Sequence, residues 1–167
     1  MSQRDPYLNP FPKSDLDRHA IWQMLVARDI EAWASANWQL VEDDFIAQNF
    51  TGISGNFQPD PQGFTLAFPT LQAYRDAWLA DGQAFLASEA AGAFQGDPRP
   101  HIFAATRLEE IEITGDAALV RKKFDGRLPK SDGSFDRMNW QTLYICRRED
   151  ARWKIAGFVG YLPYIQE

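Results

Sequence analysis

The sequence contains very little cysteine and no long hydrophobic run. Its single cysteine, Cys146, excludes an internal disulfide and a cysteine-rich metal site. No stretch approaches the roughly 18 consecutive apolar residues of a membrane span. The amino-terminal region also lacks a basic segment followed by an apolar run. We therefore expect a cytoplasmic protein that does not bind a membrane.

Positive charge is also scarce, because 17 Lys and Arg stand against 23 Asp and Glu, giving a net charge of -6. Such a chain is a poor partner for a phosphate backbone, so we expect no nucleic acid partner. The dinucleotide loop, the phosphate loop and the Gly-x-Ser-x-Gly elbow are missing. The two histidines show no metal-ligand spacing. We expect no metal and no cofactor, and a small molecule as ligand.

Large apolar side chains are plentiful: 45% of residues are hydrophobic and 14% are aromatic. A chain of 167 residues matches one domain of ordinary size. Three prolines in residues 1–13 predict an extended arm. The sequence therefore predicts an arm over residues 1–13 and a single domain over residues 14–167.

Hydrophobic periodicity places helices early in the chain and strands late. It predicts helices over residues 14–36, 38–47 and 69–88, a hairpin over 50–55 and 63–68, and strands over 101–114, 117–128, 137–148 and 152–161. Short turns join the late strands, which favours an antiparallel meander over parallel winding. The predicted fold class is α+β.

Two local patterns carry a family resemblance. One is the strand-turn-strand run over residues 111–120, and the other is the hairpin formed by residues 143–148 and 152–155. With the order of elements, they resemble the superfamily of nuclear transport factor 2, ketosteroid isomerase, scytalone dehydratase and the SnoaL-like polyketide cyclases. The resemblance implies a cone-shaped α+β barrel, with about three amino-terminal helices on a strongly curved, mainly antiparallel sheet. It also implies a pocket inside the cone and a homodimer formed through the outer face of the sheet.

Asp29 is the first candidate for chemistry. It projects from the middle of an apolar helical arc that includes Trp22 and Trp33, two candidate ligand-binding side chains. A carboxylate in that position must be paired, hydrated in a cavity or raised in pKa. A general base fits this description. A structural salt bridge to Arg18 or to an arginine of a strand fits it slightly better.

His101 and Arg107 are candidates on the predicted third strand. His101 opens that strand, where it can titrate near neutral pH at the mouth of the cone. Arg107 interrupts a mostly apolar run and can anchor a carboxylate or an enolate. A capping or surface histidine is the commoner alternative, and the inward face of the strand is not fixed by the sequence.

Tyr144 and Trp140 share one face of the predicted strand over residues 137–148. If that face points inward, Tyr144 supplies a catalytic phenol above an aromatic floor that includes Trp140. If it points outward, the same residues suit a dimer interface.

We expect Lys122 and Lys123 on the solvated surface of the sheet. Asp43 and Asp44 are expected to face solvent, with Asp44 the better pocket candidate.

These observations lead to a hypothesis and a rival. The hypothesis is a SnoaL-like domain that binds a small apolar molecule with carbonyl or hydroxyl groups and catalyses isomerisation, dehydration, cyclisation or hydrolysis without a cofactor. Asp29 and His101 exchange protons, and Tyr144 or Arg107 stabilises negative charge. The rival is a module without catalysis, which carries a ligand or mediates dimerisation. A closed core with Asp29 in a salt bridge favours the rival, and an open pocket favours the enzyme.

Overall fold

The computed structural model describes residues 3–167 and confirms the predicted α+β class. Its helices are α1 (Leu16–Trp22), α2 (Asp29–Ala34), α3 (Leu71–Ala90) and α4 (Arg99–Ala105). Its strands are β1 (Thr51–Ser54), β2 (Thr65–Phe68), β3 (Thr106–Thr114), β4 (Ala117–Pro129), β5 (Phe135–Glu149) and β6 (Arg152–Leu162). The helices form one layer and the strands form one sheet.

The first predicted helix is nearly continuous but changes its winding. A π-helical segment, Gln23–Arg28, joins α1 to α2. Asp15 caps the start of α1 by accepting a hydrogen bond from the Arg18 amide. Segments of π-helix are rare in proteins, and those that do occur are frequently found at functional sites. The local change in winding immediately precedes Asp29.

The predicted second helix is shorter than expected. Only two 3-10 turns, Trp38–Leu40 and Glu42–Asp44, occupy that stretch. The apolar spacing of Trp38, Val41 and Phe45 reflects burial of each side chain. A regular α-helix was therefore the wrong prediction for this segment.

The six strands form one sheet in the order β2-β1-β6-β5-β4-β3. Neighbouring strands are antiparallel, except that β1 runs parallel to β6. The meander of β3 to β6 confirms the expected pattern. The parallel pair was not predicted, because the sequence showed that β1 and β2 form a hairpin but not which late strand would accept that hairpin.

The helices cover one face of the sheet and leave the other open. Along β4 and β5 the helix-facing positions include Val120, Lys122, Thr142 and Tyr144, all of which are buried. The register pairs Lys122 with Thr142 and Val120 with Tyr144. The inner face of β5 is therefore the face that carries Trp140 and Tyr144.

Gly82 brings α3 close to α2. A Cβ atom at this position would lie 2.8 Å from the carbonyl oxygen of Trp33. A glycine costs helix stability in an exposed position, but here it permits a close approach of two helices. Gly82 does not interrupt α3, which runs continuously from Leu71 to Ala90.

The amino-terminal arm runs over the domain, and residues 1–2 lie outside the described part of the chain. Arg4 donates to the carbonyl oxygen of Thr106 at 2.9 Å, and Phe11 packs against the core. The Nδ1 atom of His19 lies 2.9 Å from the carbonyl oxygen of Phe11. His19 therefore fixes the arm to α1.

Candidate functional site

A cavity lies between the inner face of the sheet and the helices α2 and α3. Its volume is about 500 Å³, and half of the residues that line it are aromatic. A cavity of this size holds a ligand of ordinary drug-like dimensions. The lining includes Asp29, Trp33, Trp140 and Tyr144 from the sequence-predicted site.

Asp29 forms an ion pair with Lys122 at the cavity wall. The Lys122 Nζ atom lies 2.8 Å from Asp29 Oδ2 and 2.5 Å from the carbonyl oxygen of Leu25. The side chain of Lys122 is 1% exposed, whereas that of Asp29 is 23% exposed. The ammonium is therefore sealed in the wall, and the carboxylate is the member of the pair that reaches the cavity.

The structure places Lys122 on a different face of the sheet from the expected one, and it shows which residue forms the salt bridge with Asp29. Lys122 was expected on solvated surface, but it lies on the inner face of β4 next to Phe124, whose ring centroid is 5.3 Å from Nζ. The salt bridge expected for Asp29 does exist, with Lys122 in place of Arg18 or a strand arginine. Apolar residues alternate around it along β4, at Ala118, Val120 and Phe124, which was the signal for an inward position.

Three tyrosines lie in the cavity lining, and their phenols resist ionisation. Burial raises the pKa of Tyr144 and of Tyr74 well above the ordinary value, and the negative charge of Asp29 raises both further. Burial, with smaller effects from Asp81 and Asp29, raises the pKa of Tyr161 to about 12. At neutral pH these groups are hydrogen-bond donors, as stabilisation of a ligand oxygen requires.

Asp81 is a second carboxylate in the lining, and the sequence analysis overlooked it. It lies on α3 in the stripe that contains Tyr74, Trp78 and Phe85. The spacing of 3 and 4 residues from Trp78 and Phe85 was the available signal. The Asp81 residue is largely exposed, and the partial burial of its carboxyl raises the pKa of that group above the ordinary value.

Three predicted site residues lie outside the cavity lining. Trp22 is 4% exposed and belongs to the hydrophobic core. Arg107 lies on β3 opposite Lys123, with its Nη1 atom 3.5 Å from the carbonyl oxygen of Ala104. His101 lies on α4 and not at the start of a strand.

The position of His101 was predicted wrongly because of two prolines. In the sequence alone, Pro98 and Pro100 fit a loop that ends just before a strand. In the structure Pro98 caps α4 and a proline occupies its first turn, where the fixed φ angle and the missing amide are tolerated. The prolines therefore begin a helix, and β3 starts only at Thr106.

Asp44 is buried but lies outside the cavity, contrary to the expected solvent exposure. Arg28 binds it through two hydrogen bonds of 2.7 and 2.8 Å, and Arg152 adds a third of 2.7 Å. Its side chain is 1% exposed. Asp43, by contrast, is exposed.

Cys146 is buried, and burial raises the pKa of its thiol to about 12, which suits packing and not nucleophilic attack.

Within residues 3–167, no helix is long and apolar enough to cross a membrane. In the same part of the chain, no group of three or more His, Cys, Asp or Glu side chains is arranged to hold a metal ion.

Solved structures with the same fold identify the architecture. A nuclear transport factor 2-like protein of unknown function from Shewanella baltica is 16% identical, with a TM-score of 0.51, over 87% of this chain and 92% of that chain. One from Novosphingobium aromaticivorans, described as having a cystatin-like fold, is 17% identical, with a TM-score of 0.52, over 89% and 82%. A "putative aromatic ring hydroxylase" from the same organism is 16% identical, with a TM-score of 0.53, over 94% and 93%.

The chain therefore has the nuclear transport factor 2-like fold. At these identities the likeness shows the fold alone, because one fold supports many activities. No protein-family model matches the chain, and no curated protein matches it in sequence.

Proposed function

We propose that the chain is a SnoaL-like domain that binds a small apolar molecule with carbonyl or hydroxyl groups and transforms it by acid-base chemistry without a cofactor. Isomerisation, dehydration and cyclisation are the reactions that this chemistry supports. The observation that carries the proposal is the aromatic cavity with the Asp29 carboxylate exposed on its wall.

Asp29 and Tyr144 are the proposed catalytic residues. Asp29 exchanges a proton with the ligand, and Lys122 is a positioning residue that holds the carboxylate in one orientation. Tyr144 donates a hydrogen bond to the oxygen that gains negative charge. Trp33 and Trp140 contact the apolar part of the ligand. His101, Arg107 and Trp22 have no place in this proposal, because they lie outside the lining.

The test is ligand screening by saturation-transfer NMR and thermal shift, with aromatic and polyketide-like carbonyl compounds. We expect binders of the wild type to bind Asp29→Asn more weakly by a factor of about 10 to 100, because a charge-assisted hydrogen bond contributes about 1.5–3 kcal/mol. Asp43→Asn is the matched control, since Asp43 is exposed and lies outside the cavity. If every binder is indifferent to Asp29→Asn, Asp29 does not belong to the site.

A module without catalysis is the second candidate, and two observations favour it. The salt bridge of Asp29 satisfies its charge without a ligand. On the outer face of the sheet, Leu119 and Ile145 are cross-strand neighbours that are 46% and 45% exposed. These side chains suit a homodimer through that face.

Light scattering after gel filtration tests the dimer. We expect the wild type to be dimeric and Leu119→Glu to be monomeric, because the substitution places a charge in the centre of the interface. Leu40→Glu is the control, since Leu40 is 43% exposed and lies among the helical segments. A wild type that is monomeric at high concentration contradicts the dimer and leaves the cavity unaffected.

A further inference from the structure

Among the side chains that line the cavity, negative charges outnumber positive ones. Three charged side chains line it, namely Asp29, Lys122 and Asp81. Asp29 and Lys122 neutralise each other at 2.8 Å. Asp81 forms no ion pair with any of residues 3–167, and burial is the cause that shifts its pKa. The cavity therefore presents one uncompensated negative charge, which repels anionic ligands and attracts a cation.

Asp81 is placed so that a ligand can reach it. It occupies the middle of the cavity-facing stripe of α3, and the neighbours above and below it in that stripe, Ala77 and Ala84, are small. The charge of Asp81 also raises the pKa of Tyr74 and of Tyr161, so the carboxylate lies near both phenols. Its surroundings are thus aromatic on the side that faces the cavity.

Three aromatic side chains in the same cavity lining as Asp81 form a rim, and Tyr161 is the member whose phenol the charge of Asp81 affects. The ring centroid of Phe57 lies 5.1 Å from that of Tyr161 and 5.7 Å from that of Trp140. Phe57 is 57% exposed and lines the cavity, so its ring is accessible to a ligand. The faces of such rings attract organic cations, and the attraction strengthens as water is excluded.

The backbone of the rim is held in a costly conformation. Phe57 and Tyr161 have φ angles of 58° and 53°, in the left-handed region that bulky side chains seldom adopt, and Asn56, a residue type that tolerates this region, has a φ of 52°. The Phe57 amide donates to the carbonyl oxygen of Tyr161 at 2.9 Å, and Asn56 Nδ2 donates to the carbonyl oxygen of Gly63 at 2.7 Å. Strain of this kind is retained where the placement of a side chain matters for function.

From the unpaired carboxylate and the aromatic rim together, we infer that the ligand is a flat apolar molecule that carries a protonated amine. The amine lies against Asp81 and the faces of Phe57, Trp140 and Tyr161, while the apolar part fills the cavity towards Asp29. This inference rests on the proposed function and adds the class of ligand.

Three probes of nearly equal shape test the inference by titration calorimetry at low salt: 2-naphthylmethylamine, 2-naphthylmethanol and 2-naphthoate. We expect the wild type to bind the amine about tenfold more tightly than the alcohol, with the carboxylate weakest. Asp81→Asn should remove the preference for the amine over the alcohol, because asparagine offers the ammonium no counter-charge. Asp76→Asn is the matched control, because Asp76 is also exposed on α3 but lies outside the cavity lining.

Phe57→Leu tests the aromatic part of the rim, since leucine keeps an apolar side chain but has no ring face. It should reduce the preference for the amine about threefold. If the alcohol binds but the amine is not preferred, or if Asp81→Asn keeps the full preference, the amine inference is wrong and the cavity proposal survives. If none of the three probes binds the wild type, both proposals fail together.

Discussion

Asp29 and Asp44 both form ion pairs with side chains of the sheet, but they differ in which member of the pair is buried. At Asp44 the carboxylate is 1% exposed, while Arg28 and Arg152 are 37% and 47% exposed. At Asp29 the cation is sealed instead, and the carboxylate reaches the cavity. The Asp44 carboxylate is closed to a ligand because it is 1% exposed and accepts three hydrogen bonds from two arginines, whereas the Asp29 carboxylate is 23% exposed and pairs with a single lysine.

The comparison separates a structural pair from a candidate functional one. Asp44 connects the π-helical segment to β6 through Arg28 and Arg152, so it fastens the helices to the sheet. Asp29 makes a similar connection to β4, but it does so at a surface that a ligand can touch. Burial of a carboxylate by itself therefore does not indicate a site.

Of the substitutions compared, Asp29→Asn should lower the free energy of unfolding most, because it leaves the buried ammonium of Lys122 without a counter-charge. We expect a loss of about 3 kcal/mol in the free energy of unfolding, measured with urea. Lys122→Met should cost less, about 1 kcal/mol, because the Asp29 carboxylate can be hydrated from the cavity. The double variant should recover part of the loss. Equal losses of unfolding free energy for Asp29→Asn and Lys122→Met would contradict the inference that the carboxylate, but not the ammonium, can be hydrated from the cavity.

Asp44→Asn should have a smaller effect than Asp29→Asn. We expect a loss of about 2 kcal/mol, because the two arginines left behind are partly exposed and regain water. The same urea titration measures it, and ligand binding in the cavity should be unchanged. Weaker ligand binding by Asp44→Asn, at a temperature where the variant is folded, would show that the two carboxylates are not functionally separate.

The smallest expected change in stability comes from ionisation of the buried tyrosines, and it is seen only at high pH. The folded state keeps the proton of Tyr161 up to a pKa of about 12, whereas an unfolded tyrosine ionises near 10. The stability that this shift provides is fully present below pH 10 and is lost as the pH rises towards 12. We expect tyrosinate absorbance to appear together with unfolding in this range.

The tyrosine titration also distinguishes the two carboxylates. The charge of Asp29 raises the pKa of Tyr74, Tyr144 and Tyr161, and Asp44 is not a cause of any of these shifts. Asp29→Asn should therefore lower the pH at which the tyrosines ionise, and Asp44→Asn should not. Identical titrations of the two variants, compared under conditions of equal stability, would place Asp29 too far from the phenols to act with Tyr144.

Much of the fold could be predicted from the sequence, because periodicity is a local property. The alternation along β5 placed Trp140 and Tyr144 on one face, and the helical period placed Asp29 among apolar residues. The errors occurred where one local signal has two meanings. Pro98 and Pro100 can end a loop or begin a helix, and they begin α4.

The candidate site was predictable only in part, for a related reason. Lys122 and Asp81 lay in apolar patterns, but a charged residue in such a pattern faces inward only if a partner or a cavity meets it. Neither pattern shows that partner. Lys122 finds Asp29 at a separation of 93 residues, and Asp44 finds Arg152 at 108.

The sequence by itself determined the order of helices and strands and which residues share a face, since these depend on neighbours a few positions away. Only the tertiary structure decided that the Tyr144 face of β5 turns inward, that Lys122 is sealed against Asp29 and that Asp81 has no counter-charge among residues 3–167. Those outcomes depend on which elements pack together and on the space left between them, and that information is not present in any single stretch of the chain.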